Sequence, residues 1–213
     1  VNPEDLHKIR NDYQLGKLDE RQVDPDPLKQ FELWMNQAIE ARIEEPTAMT
    51  LATADVEGRP AARMVLLKGY DEQGLTFYTN YSSRKGRDLE SNPYAALAFY
   101  WKELERQVRI EGIVEKVAEQ ESDNYFSSRP GPSQVGAIIS PQSDVIPDRK
   151  YLEELKEDYL KNSVGENQRP STWGGYRLVP SHFEFWQGRP GRLHDRIRYR
   201  LADSKWVIDR LAP

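Results

Sequence analysis

Hydrophobic positions change their period along the chain, and each change marks an element. Leu28, Phe31, Met35, Ala38 and Ile39 recur at helical spacing, so one face of a helix packs inward. Asp26 is placed to cap that helix, Pro27 suits its first position, and Pro46 ends it. Strand patterns follow over Ala48–Ala54, Ala61–Lys68 and Leu75–Asn80. The turns Asp55-Val56-Glu57-Gly58 and Asp71-Glu72-Gln73-Gly74 separate them, and such short loops favour antiparallel hairpins. A short helix is expected over Ser83–Ser91, stopped by Asn92-Pro93. Tyr94–Trp101 is apolar throughout and is expected as a strand buried on both faces. In Gln107–Val117, Val108, Ile110 and Val114 alternate with Arg109, Glu111 and Glu115, and Gly112 suggests a bulge.

Two further helices are expected, over Glu119–Ser127 and Arg149–Asn162; in the second, Leu152, Leu155 and Tyr159 share a face. The Pro-, Ser- and Gly-rich stretch between them, Ser128 to Pro147, is expected as a loop. Trp173–Val179, which Phe183–Trp186 extends, then Arg196–Leu201 and Lys205–Leu211 close the chain as strands. Residues 1–24 are polar and lack a long period, so they form an arm with one helical turn. Residues 25–213 show no repeat or linker. They predict a single α+β domain, mostly antiparallel β, built on a barrel or sheet with peripheral helices.

Composition narrows the class. Of 213 residues, 38% are hydrophobic and 31% charged, and 10% are aromatic, which argues against disorder. Lys and Arg number 30 against 35 Asp and Glu, a net charge of -5, so binding of nucleic acid through bulk charge is not expected. The absence of Cys removes disulfides, thiolate nucleophiles, iron–sulfur clusters and thiolate zinc sites. His7, His182 and His194 are too few for a His-rich metal centre, and no metal is expected. The Tyr94–Trp101 run falls far short of the roughly 20 residues a bilayer requires, and Glu4, Asp5, Lys8, Arg10 and Asp12 do not resemble a signal peptide. A cytoplasmic protein with no membrane partner is expected.

The chemistry is less obvious, because G-x-G-x-x-G, Walker A and G-x-S-x-G are all missing. What stands out is local positive charge on an acidic chain. Arg63, Lys68, Arg84, Lys85 and Arg87 form one cluster; the stretch from Arg189 to Arg210 forms another. Such reversals suit small anions rather than polyanions. Arg63 and Lys68 bracket a strand segment and, by alternation, point to opposite faces. Ser82-Ser83-Arg84-Lys85 at a helix start either holds an anion or is a capping Ser with solvated cations. Arg192-Leu193-His194-Asp195-Arg196 is the densest constellation. Its His either orients a substrate and moves a proton, or is structural, and no nucleophile elbow accompanies a Ser-His-Asp reading. Trp173, Trp186, Tyr78, Tyr100, Tyr125 and Phe185 either stack on a flat ring or belong to the core.

Taken in order, several stretches carry a resemblance. They are Pro46-Thr47-Ala48-Met49, Arg63-Met64-Val65-Leu66-Leu67-Lys68, Phe77-Tyr78-Thr79-Asn80, Ser83-Arg84-Lys85 and Glu105-Arg106-Gln107-Val108. Ser128-Arg129-Pro130 with Ser133-Gln134-Val135-Gly136-Ala137 follows, then Gln142-Ser143, Glu184-Phe185-Trp186-Gln187-Gly188, Arg192 to Arg196 and Asp209 to Pro213. Over nearly its full length the chain resembles the pyridoxamine 5′-phosphate oxidases, also called pyridoxine 5′-phosphate oxidases. The resemblance implies an FMN-binding split β-barrel, a homodimer with FMN at the subunit interface, and oxidation of pyridoxine or pyridoxamine 5′-phosphate at C4′ to pyridoxal 5′-phosphate. O2 would be the electron acceptor and H2O2 a product, with ammonia released from the amine.

By matching position, the resemblance assigns Arg63, Met64, Val65, Leu66, Leu67, Lys68, Tyr78, Thr79, Arg84 and Lys85 to FMN. Gln107, Gln142, Ser143, Trp186 and Arg196 complete that set, some from the partner subunit. Lys68, Tyr125, Arg129 and Ser133 would hold the substrate phosphate. Arg192 and His194 would lie beside the substrate ring as the catalytic pair, and Arg10 and Tyr13 would cover the site. A related flavin oxidase of the same fold acting on a phenazine precursor, and a non-catalytic flavin- or pyridoxal-phosphate-binding protein, are the alternatives.

Overall fold

The computed structural model describes residues 3–8, 12–163 and 165–213. A 3-10 turn at Pro3–Lys8 precedes α1 (Pro27–Glu40), β1 (Ala48–Ala54), β2 (Pro60–Leu66), β3 (Gly69–Asp71) and β4 (Gly74–Asn80). Then come α2 (Arg84–Ser91), β5 (Tyr94–Trp101), β6 (Arg106–Lys116), α3 (Glu119–Ser128), α4 (Gly131–Ile139) and α5 (Arg149–Asn162). β7 (Trp173–Gln187), β8 (Asp195–Ala202) and β9 (Lys205–Leu211) end the chain. The hydrogen-bonded strand order is β2-β1-β5-β6-β7-β4-β3, with β8 and β9 continuing from β7. The pairs β3–β4, β4–β7, β7–β8 and β8–β9 are antiparallel, with registers such as Tyr78 opposite Gly175 and Trp186 opposite Arg196. The α+β, mostly antiparallel class is the one the sequence predicts. Among the described residues no helix is long and apolar enough to cross a membrane.

Contacts divide the chain into two compact units, and β5, β6 and β7 run through both. The first comprises residues 1–49, 97–111 and 181–213. Its core joins α1 to the strands: Phe31 lies 5.2 Å from Phe99, and Trp34 meets Phe185 edge-on at 5.2 Å. The predicted inward face of α1 needs correction. Asp26 caps the helix as expected, and Phe31, Trp34, Met35 and Ala38 are buried, but Ile39 is exposed and the helix stops at Glu40, well before Pro46. Residues 13–20 are strapped onto this unit. Glu105 accepts the Gln14 and Leu15 N–H groups at 2.8 and 2.9 Å, Asp195 accepts that of Leu18 at 3.0 Å, and Arg189 donates to the Gly16 carbonyl at 2.8 Å.

The second unit comprises residues 50–96 and 112–180, with Leu75, Phe77, Phe126, Tyr176 and Leu178 in its core. The Ser128–Pro147 stretch is not all loop, because it holds α4. Pro132 sits in the first turn, where its missing N–H is harmless, and the helix tolerates Gly136. β7 is one fifteen-residue strand in which Phe183–Trp186 extends Trp173–Val179, and β3 is a short strand that the hydrophobic pattern does not predict. β5 is buried on one face only: Ala95, Leu97, Phe99 and Trp101 point inward, whereas Tyr94 and Tyr100 are exposed. At Gly112 the Val179 carbonyl approaches so closely that no side chain fits, which is a physical reason for glycine inside this strand.

Candidate active site

A cavity of about 520 Å³ opens in the second unit. β2 and the segment after it supply Arg63, Met64, Val65, Leu66 and Lys68. β4 supplies Tyr78 and Thr79, α2 supplies Lys85, and the α3–α4 region supplies Tyr125, Arg129, Pro130 and Ser133. Gln142 and Trp173 complete the lining. Strand alternation puts Arg63 and Lys68 on opposite faces, yet both line this cavity. The lining takes in four consecutive residues of β2, Arg63 to Leu66, from both faces of the strand; β2 ends there, and the Lys68 N–H donates to the Thr76 carbonyl at 2.9 Å. Leu67, between them, is buried in the core and does not line the cavity.

The cations of this cavity are held in two different ways. Arg63 is braced from behind, donating to Thr53 Oγ1 at 2.7 Å and the Leu51 carbonyl at 3.1 Å, with Asp88 at 3.6 Å. Thr53 in turn donates to Asp88 at 2.7 Å. Burial lowers the Arg63 pKa while Asp88 opposes the shift. Nothing in the local sequence marks Asp88 for this role, since Glu90, two positions on, is exposed. Lys85 Nζ lies among neutral oxygens: Thr79 at 3.1 Å, Ser83 at 3.2 Å and Gln142 at 2.9 Å. With no carboxylate among the described residues in hydrogen-bond contact, desolvation first and Arg63 second pull its pKa down to about 8. Ser83 caps α2 through the Gly86 N–H, and Arg84 beside it is exposed with no partner among the described residues. Of the two readings of that segment, the capping Ser is the one the geometry displays.

Across the cavity, Tyr78 stacks on Tyr125 at 3.8 Å and Trp173 lies parallel to both. Burial, then Glu121, pushes the Tyr78 hydroxyl up to about 12, so it stays protonated as a donor. The Arg129 guanidinium sits 4.7 Å over the Trp173 ring, and its Nη1 is buried with no hydrogen-bond partner among the described residues. A buried, unsatisfied cationic donor is costly unless an acceptor completes it. Burial also lowers the Arg129 pKa. Lys68 and Ser133 are exposed at the cavity wall, and their side chains are unpaired among the described residues.

The remaining predicted residues lie elsewhere. Ser143 is exposed in a left-handed conformation at φ 75° and does not line the cavity. Gln107, Trp186, Arg192, His194 and Arg196 belong to the first unit. There His194 packs 4.7 Å from Trp186, and Tyr13 meets His194 and Trp186, each at 5.6 Å. His194 Nδ1 accepts the Arg189 backbone N–H at 3.1 Å, which places the proton of a neutral ring on Nε2. Asp195 is bound to Arg189, Arg210 and the Leu18 N–H, so it is engaged away from His194 and completes no Ser-His-Asp arrangement among the described residues. Arg192 is exposed, in a left-handed conformation at φ 62°, and free of partners among the described residues. Arg196 is engaged by buried Glu184 at 2.7 Å. Phe185 is core, and Tyr100 is exposed at the surface. Arg10 lies outside the described residues.

Comparison with known proteins decides the family. Residues 35–154 match the pyridoxamine 5′-phosphate oxidase family, and residues 173–213 match the pyridoxine 5′-phosphate oxidase C-terminal dimerisation region. The chain belongs to the pyridoxamine 5′-phosphate oxidase family. It is 56% identical over 209 residues to the pyridoxine/pyridoxamine 5′-phosphate oxidase of Polynucleobacter asymbioticus, covering 98% of this chain and 99% of that one. With the Cupriavidus necator protein of the same name it shares 56% over 210 residues, at 98% and 99% coverage. PhzG from Burkholderia lata, solved with tetrahydrophenazine-1-carboxylic acid, superposes with TM-score 0.88 at 32% identity, covering 95% of this chain and 100% of that one. A related FMN-binding protein from Nostoc punctiforme shares the fold, with TM-score 0.72, 17% identity and coverage of 90% and 100%. The architecture is thus the split β-barrel of this family of oxidoreductases, and residues 173–213 are its dimerisation region.

Proposed function

We propose that this family member is an FMN-dependent oxidase that converts pyridoxine or pyridoxamine 5′-phosphate to pyridoxal 5′-phosphate, with O2 as acceptor and H2O2 as product. The observation that carries the reading is Arg129 Nη1, buried and unpartnered, in the same cavity as Lys68, Tyr125 and Ser133. Those four groups suit a small phosphate. The other side of the cavity fits a second phosphate, that of FMN, because desolvated Lys85 and braced Arg63 are cations without enough counter-charge of their own. Thr79, Gln142, Tyr78 and the residues from Met64 to Leu66 would hold the rest of the cofactor. When bound, the flavin supplies the two-electron redox chemistry that no side chain here possesses.

The chain's own residues would bind and orient. Trp186, Arg192, His194 and Arg196 all fall within the dimerisation region. In this reading they meet the cavity at the subunit interface of a homodimer, where Gln107 also contributes. Arg192 would steady the substrate ring, and the His194 Nε2 proton would hold the oxygen or nitrogen on C4′. Tyr13, packed on His194, would cover the ring. A cytoplasmic location is part of the same proposal. The likeness to PhzG supports one alternative, a phenazine-type substrate without phosphate. Heat release and chromatography should identify the bound flavin as FMN. Anaerobic pyridoxine 5′-phosphate should then bleach it, and air should restore the colour with H2O2. Release of FAD, or bleaching by a phenazine precursor alone, would reject the reading.

The Lys85 environment gives a pH signature. Its folded value near 8 lies below the ordinary 10.5, so between those limits the unfolded chain binds more protons and stability rises with pH. Phosphate binding works the other way, because it favours charged Lys85 and raises its pKa. The FMN dissociation constant should therefore increase above pH 8, at most about tenfold per pH unit, until the higher value of the complex is reached. Quenching of FMN fluorescence by apoprotein from pH 6.5 to 9.5 measures this. Lys85→Arg, charged throughout that range, should flatten the profile; an equal slope in both proteins would count against Lys85 as a phosphate ligand.

A further inference from the structure

The C-terminus of α3 poses a local problem. The last carbonyls of a helix lack intrahelical donors, and Pro130, just past the end, has no N–H to offer. The Gln134 carboxamide answers it from the first turns of α4. Its Nε2 donates toward three carbonyls, those of Phe126 at 3.2 Å, Ser127 at 3.3 Å and Arg129 at 3.0 Å. Its Oε1 accepts from Asn167 Nδ2 at 2.9 Å, and Asn167 Oδ1 accepts the Tyr159 hydroxyl of α5 at 2.8 Å. The chain of bonds fixes the orientation of each amide, because acceptors surround Gln134 nitrogen and a donor faces its oxygen. The corner held in this way runs from Phe126 to Arg129. It lies between Tyr125 and Ser133, and it carries the Arg129 side chain over Trp173.

We propose that Gln134 is a positioning residue for the substrate-phosphate site: its carboxamide, oriented by Asn167 and Tyr159, holds the α3–α4 corner so that Tyr125, Arg129 and Ser133 converge on one anion. The assignment rests on the phosphate site proposed above. Gln134 does not itself line the cavity, so it acts through the corner's backbone. Glutamine suits the position for a physical reason: a carboxylate of the same shape would set negative charge against three carbonyl oxygens and lose the donor.

The test compares wild type, Gln134→Glu, Asn167→Ala and Arg129→Ala as FMN-loaded protein. Three quantities are read: kcat and KM for pyridoxine 5′-phosphate, kcat/KM for pyridoxine, and the dissociation constant of pyridoxal 5′-phosphate from its absorbance. Gln134→Glu should raise KM for the ester and weaken pyridoxal 5′-phosphate binding by roughly ten- to a hundredfold, the scale of a misplaced binding group. Its activity on pyridoxine and its FMN content should stay within twofold. Asn167→Ala, which leaves Gln134 in place but unoriented, should show the same pattern at smaller size; it decides the matter alone if Gln134→Glu fails to fold. Should Arg129→Ala lose its preference for the ester while both corner variants keep theirs, the positioning role is wrong and the phosphate site stands. Should Arg129→Ala itself keep the preference, the phosphate site is wrong and the role of Gln134 falls with it. Equal losses on both substrates in the corner variants would mean general structural damage, and would also overturn the proposal.

Discussion

Removing the 5′-phosphate from the substrate should lower kcat/KM about a thousandfold. A hydrogen bond to a charged group contributes roughly 1.5–3 kcal/mol. Lys68, Arg129, Tyr125 and Ser133 offer several, and after the phosphate's own desolvation about 4 kcal/mol remains, which is the stated factor. Arg129 dominates because its desolvation has already occurred in the free protein: Nη1 is buried without a partner, and burial lowers its pKa. The anion then gains a donor that water does not satisfy. Much of the effect should appear in kcat/KM, since a remote anchor helps to hold C4′ in place. The check is pyridoxine against pyridoxine 5′-phosphate on one enzyme, repeated with Arg129→Ala. The variant should lose activity on the ester and narrow the gap. Arg129→Lys should rescue it poorly, because an ammonium lacks the planar fork of the guanidinium that sits 4.7 Å over the Trp173 ring. A wild-type gap below tenfold would dispose of the phosphate site.

Arg192→Ala and His194→Ala should each slow anaerobic substrate oxidation by about a hundredfold, the lower range for a positioned acid–base group, with FMN affinity nearly unchanged. Two features motivate this. Arg192 is a non-glycine residue held at φ 62° with an exposed side chain that has no partner among the described residues, and strain of this kind persists only where its surroundings enforce it. His194 has its Nδ1 committed to the Arg189 N–H and its ring packed against Trp186, so only Nε2 is presented for chemistry. His194→Asn should retain more activity than His194→Ala if orientation rather than proton transfer is the main contribution. Stopped-flow absorbance of the flavin under argon gives the rate directly. Wild-type rates in both alanine variants would remove Arg192 and His194 from the mechanism.

Elements whose signals are local are legible in the sequence. The cap of α1, the strand Ala48–Ala54, the helix Arg149–Asn162 and the final strand Lys205–Leu211 coincide with or closely match their predicted bounds, because capping and periodicity act within a few residues. α4 is hidden by its own Gly and Pro residues, which read as breakers although Pro132 stands where a helix accepts it. The exposed face of β5 is hidden by composition, since an apolar strand reads alike whether one face or two are covered.

The sequence by itself determined the chemical inventory: clustered cations on an acidic chain, aromatics, one His beside Arg192, and no thiol. It also carried the family resemblance through its ordered motifs. Tertiary structure alone decided how those residues are used. Arg63 and Lys68 line one cavity although strand alternation assigns them to opposite faces. Asp88, thirty-five positions from Thr53, proves to be the buried acid behind Arg63, whereas Glu90 is not. Arg129 Nη1 is buried with no hydrogen-bond partner among the described residues, and the Gln134 carboxamide is bonded by Asn167. Burial and partner choice depend on residues far apart in sequence, whereas period, capping and composition are written locally, and that difference in range separates what could be read from what had to be seen.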